Sequence, residues 1–112
     1  MSRPVQTGVN LESRIKTLAS RDGIARQKAQ KSLVAIGKPA TPSLICALRN
    51  SRVDQVRWEA AKALGASGDA RAAPSLVKAL EDKDPDVAWL AAVALANLKK
   101  AACLDFHGTE NA

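Results

Sequence analysis

At 112 residues the chain is long enough for one domain with one core. Its hydrophobic fraction of 46% is rich in alanine and holds only 3% aromatics (Trp58, Trp89 and Phe106, with no tyrosine), a balance that favours tightly stacked helices over a sheet sandwich; no apolar run approaches the roughly 20 residues that cross a bilayer. The net charge of +6 resides in residues 1–38, where eight cations meet two acids, whereas residues 39–112 balance nine against nine.

In chain order, residues 1–9 read as a flexible N-terminus. They lack the apolar segment of a secretory signal, and the expected compartment is the cytoplasm. Helices are expected near 10–20, 22–36, 41–50, 54–66, 71–82 and 86–101, with a C-terminal tail over 102–112. The punctuation supports them. Asp22, Asp54 and Asp69 are candidate N-caps, and Thr41-Pro42 and Asp84-Pro85 read as a cap followed by proline in the first turn. Gly37 and Gly68 stand where a left-handed residue would close a helix.

These elements repeat. Residues 25–37 read ARQKAQKSLVAIG, residues 56–68 VRWEAAKALGASG and residues 87–99 VAWLAAVALANLK, offset by 31 each time. The intervening TPSLICAL (41–48) parallels APSLVKAL (73–80). Each repeat is thus two helices. A domain over 10–101 comprises a leading half-repeat at 10–21 and repeats near 22–52, 53–83 and 84–101. One helix pair cannot bury its apolar stripe alone, whereas stacked pairs share a continuous core. The expected fold is all-α, a solenoid of about three helix pairs in a right-handed superhelical stack.

On a helical wheel, Val56, Ala60, Ala63 and Leu64 share one arc. Trp58, Glu59 and Lys62 are expected on the other side, with Trp89, Leu90 and Val93 at the same repeat positions of the third repeat and Gln27, Lys28 and Lys31 in the first. Trp58 and Trp89 either form an exposed two-tryptophan ridge or fold down into the groove between repeats. With Trp89, Leu90 and Val93, the last helix reads as apolar on nearly every side. Either the tail, with Leu104 and Phe106, covers it, or it meets another chain, homodimerisation included.

Catalysis and metal binding find little support. The single histidine, His107, stands in the tail, and Cys46 and Cys103 have no ligand-like spacing. No catalytic residue, metal ligand or cofactor is expected, nor a disulfide. The basic cluster of Arg21, Arg26, Lys28, Lys31 and Lys38 makes nucleic acid the rival partner. Against it, Glu59 and Asp86 interrupt the groove and no aromatic interleaves the cluster.

The run from Val56 to Leu80 follows VRxxAAxALGxxGDxxAxPxLxxAL, and in this it resembles the HEAT-like repeats of the phycobilisome-lyase type. The match is looser at 87–98, where Ala88 and Ala96 replace the arginine and glycine, and at 22–36, where Ala25 and Val34 depart. The resemblance implies an α-solenoid. In engineered binders on similar repeats the corresponding positions form the ligand surface, which implies a partner-binding face at Gln27, Lys28, Lys31, Trp58, Glu59, Lys62, Trp89, Leu90 and Val93. HEAT-like deoxyhypusine hydroxylases carry His-Glu motifs, and no His-Glu pair occurs here. Phycobilin lyases are longer and work as paired subunits. The expected function is a non-catalytic protein-interaction scaffold. The alternatives are a nucleic-acid-binding module and a lyase-like or other enzyme accessory subunit.

Overall fold

The computed structural model describes residues 11–110, with side chains described over 11–100. Its helices are α1 (11–17), α2 (Gly23–Ile36), α3 (Thr41–Asn50), α4 (Asp54–Ser67), α5 (Ala73–Ala79) and α6 (Pro85–Glu110), and no strand occurs among the described residues. Short 3-10 turns at Lys38–Ala40 and Ala70–Ala72 lead into α3 and α5. The expected N-terminal segment 1–9 lies outside the described residues.

The boundaries have local causes. Asp22 caps α2, its Oδ1 accepting from the Ile24 N–H at 3.0 Å. Asp84 Oδ1 likewise accepts from the Asp86 N–H at 2.9 Å at the start of α6. Gly37 (φ 78°) closes α2 and Gly68 (φ 73°) closes α4, each in a positive-φ conformation that side chains resist. Pro42 and Pro74 stand in the first turns of α3 and α5, where no N–H is needed.

Four expectations change. Asp54 lies inside the first turn of α4, and Val53 holds the cap position without a side-chain bond. Thr41 opens α3 instead of capping it, because its Oγ1 donates to the buried carboxylate of Asp69 at 2.8 Å. The fifth helix starts later than expected, after the Ala70–Ala72 turn that Asp69 caps. Finally, α6 continues to Glu110. Residues 102–110 extend it as one helix and so do not fold back as a tail over its side.

The helices form two layers. In one, α4 lies between α2 and α6; in the other, α3 packs beside α5; α3 packs on α4 and α5 on α6. The chain is an all-α solenoid. Leu18, Leu33, Leu44, Leu64, Leu76 and Val87 are fully buried at its centre. Ala60, Ala61, Ala63, Ala91 and Ala94 fill the seams, and their small side chains let the axes approach closely.

Two arginines fasten the turns. Arg57 on α4 makes a two-pronged bond to the Asp82 carboxylate, Nε to Oδ2 at 2.8 Å and one terminal nitrogen to Oδ1 at 3.0 Å. It also donates to the Ser51 carbonyl at 2.9 Å and to Asp54. One repeat earlier Arg26 donates to the Ser20 carbonyl at 2.6 Å, again six residues back. Each arginine pins the preceding turn to the start of its helix, since an arginine fork satisfies several acceptors at once.

Candidate interaction groove

The α2–α4–α6 layer carries a groove of about 650 Å³ that spans three repeats. Helix α2 contributes Gly23, Arg26, Gln27 and Gln30, and α4 contributes Asp54, Gln55, Trp58, Glu59 and Lys62. Asp84, Asp86 and Trp89 complete it at the α6 end. A 31-residue period on stacked helices places Gln27, Trp58 and Trp89 in one row, which is why one groove gathers side chains distant in sequence.

The two tryptophans share a repeat position but not an environment. Trp58 is half-buried and packs against the core, with Lys62 Nζ 5.1 Å from its ring centre. That distance is within the range of cation–π attraction, about 6 Å. Trp89 is 66% exposed at the lip. The structure therefore shows neither a uniform ridge nor a uniformly folded-down pair.

Several expected face residues are placed differently. Glu59 lines the groove but is only 6% exposed, packed into a seam, and Leu90, only 7% exposed, is packed inside and does not line it. The cause is geometric. An inner helix such as α4 touches α2 on one flank, α6 on the other and α3 behind, so its covered arc is wider than a single apolar stripe. Val93 is half-buried against the core. With Leu90 packed inside the chain and Val93 half-buried, Trp89 is the large exposed apolar group of α6 among the residues whose side chains are described. Lys28 and Lys31 are exposed but do not line the groove; Gln27 and Lys62 are exposed and do.

Glu59 has partners in the seam. Gln55 Nε2 donates to its Oε2 at 3.0 Å, and Arg26 Nε stands 3.5 Å from the same oxygen. Four carboxylates line the groove, Asp54, Glu59, Asp84 and Asp86, against the two cations Arg26 and Lys62. Two of the four are engaged within the chain, Glu59 by Arg26 and Asp54 by Arg57. The lining is thus acidic on balance, although the chain is basic. Arg26, Gln30 and Asp84 are among the lining residues outside the expected face. For Gln30 a signal existed in the sequence: it holds the repeat position of Ala61, which faces a seam.

Among the described residues, no group of three or more His, Cys, Asp or Glu side chains could hold a metal ion, and no helix is long and apolar enough to cross a membrane. Over residues 41–106, more than half of the chain, the sequence matches the family described as HEAT repeats. No curated protein matches it.

Proposed function

This chain belongs to the HEAT-repeat family, and from that premise we propose that it is a non-catalytic cytoplasmic scaffold that binds another protein along the α2–α4–α6 groove. HEAT repeats generally serve as protein-interaction scaffolds. The observation that carries the reading is Trp89, a large aromatic left 66% exposed at the lip of a groove that crosses three repeats. Exposed aromatics in concave sites are frequent anchors of protein interfaces. Trp58 and Lys62 form the middle of the proposed face and Gln27 its α2 end. The pattern from Val56 to Leu80 supports repeats of the phycobilisome-lyase type and keeps an accessory-subunit role within the same reading.

Quantitative pull-down by wild type and by Trp89→Ala, with Val77→Ala at an exposed position of α5 as control, tests the proposal. Loss of recovered protein with Trp89→Ala alone is expected. Equal recovery by all three would sink it.

Nucleic acid is a weaker reading. The exposed Lys28 and Lys31 favour it, but they lie outside the groove, whose excess of carboxylates would repel phosphates. Binding that falls steeply with salt and depends on the two lysines, with no response to Trp89→Ala, would replace the protein partner. Self-association through α6 would appear as a concentration-dependent mass in sedimentation.

A further inference from the structure

The second and third repeats differ at one position that decides what the groove lacks. On α4, Lys62 lies one turn after Trp58 and holds its ammonium 5.1 Å from the ring centre. On α6 the residue at the position of Lys62, 31 residues on, is Val93, half-buried against the core. Trp89 therefore has no lysine of its own at that position. At the same time Gln55, one turn before Trp58, becomes Asp86, one turn before Trp89, and both Asp86 and Asp84 line the same end of the groove. Residues three apart share a helix face, so the Asp86 carboxylate and the Trp89 ring are neighbours there.

We propose that this end of the groove takes a lysine or arginine side chain from an extended segment of a protein partner, its cation over Trp89 and beside Asp86. The inference rests on the groove being the docking face and names the chemistry of what docks.

Two observations and one physical principle carry it. The chain already contains the contact in its internal form, since Lys62 over Trp58 shows that this helix geometry admits a cation above the ring. An aromatic face attracts cations through its quadrupole. The charge is complementary: of the four lining carboxylates, Glu59 and Asp54 are engaged by arginines of this chain, whereas Asp86 makes no side-chain ion pair among the described residues. A site of this form discriminates against anions and against neutral isosteres of lysine.

The test uses the whole chain and two capped heptapeptides, one with lysine at alternate positions and one with norleucine in their place. Binding is read from the Trp58 and Trp89 indole N–H resonances at low ionic strength. The lysine peptide should shift the Trp89 resonance and bind at least about fivefold more tightly than the norleucine peptide. Trp89→Ala should abolish the difference, and Asp86→Asn should reduce it. Val93→Lys is the decisive variant. It supplies the third repeat with the lysine that the second already has, so it should occupy Trp89 and weaken the lysine peptide by a similar factor. Circular dichroism of each variant confirms that the helices are intact, and Trp89→Ala, at an exposed site, keeps the test valid if Val93→Lys disturbs packing. Norleucine and lysine peptides that bind equally, with dependence on Trp89, would overturn the cation and leave the docking face standing. Lysine binding unchanged by both Trp89→Ala and Asp86→Asn would overturn the site itself.

Discussion

Gly65 of α4 lies so close to Ala94 of α6 that a Cβ at position 65 would stand 2.8 Å from Ala94 Cβ and 2.9 Å from its Cα. Such a contact is too short for two carbons, and one neighbour is backbone, so the helices themselves would have to part. The glycine here sets the spacing of the α4–α6 seam. Alanine favours a helix over glycine by about 1 kcal/mol, yet Gly65→Ala is expected to destabilise the fold by about 1–3 kcal/mol through overpacking. Urea unfolding measures it, and adding Ala94→Gly should restore part of the loss, because the two sites share one contact. A Gly65→Ala variant more stable than wild type would contradict the seam.

The tryptophans should separate in stability as they do in exposure. Trp89→Ala removes a 66% exposed ring and is expected to cost about 1 kcal/mol or less. Trp58→Ala removes a half-buried ring packed on the core and should cost about 1–3 kcal/mol more. Denaturant midpoints of the two variants, measured side by side, check the order. Equal losses would place both rings in the same environment, against the structure.

Arg57 is the fastening whose loss should be felt most. Its buried guanidinium serves Asp82, the Ser51 carbonyl and Asp54, so Arg57→Met strands a mostly buried carboxylate and a carbonyl. A loss of about 3 kcal/mol is expected. A loss below 1 kcal/mol would mean that water replaces the arginine at the turn.

Acid should weaken the fold through Asp69 and Asp82. The Arg71 guanidinium and backbone N–H, helped by Thr41, hold the Asp69 carboxyl well below the usual carboxylate range, and Arg57 holds Asp82 down in the same direction. For groups whose folded-state pKa is depressed, the stabilising contribution is complete above the unfolded value of about 3.9 and is lost as pH falls through the folded value. Stability should be flat from neutral pH to about 5 and decline below about pH 4. Asp69→Asn should be less stable than wild type at pH 7 and decline less steeply in acid. Parallel curves for the two proteins would remove Asp69 from the account.

The sequence by itself determined the repeat and much of its local structure. The recurrence of Leu33 and Leu64 with their alanines placed the core, and Asp22, Gly37, Pro42 and Gly68 placed helix ends to within about a residue. Those features are local. Capping, positive φ and proline in a first turn act within one turn of chain, and a sequence displays them directly. Even so, the cap assigned to Thr41 was lost to a bond with Asp69, 28 residues away, which no local pattern reveals.

Only the tertiary structure decided which flanks of each helix are covered. Glu59 lies outside the arc of Val56, Ala60, Ala63 and Leu64, a position that a lone helix exposes; α2 packs across it, and Arg26 and Gln55 make its burial tolerable. Leu90, at the same repeat position, is buried in the core and so does not join Trp89 in a sticky face. Trp58 and Trp89 hold the same repeat position, but Trp58 lies on a helix between two neighbours and Trp89 lies on the last helix described. Burial depends on the number of neighbours an element acquires, and a 31-residue period repeats the residue without repeating its neighbours.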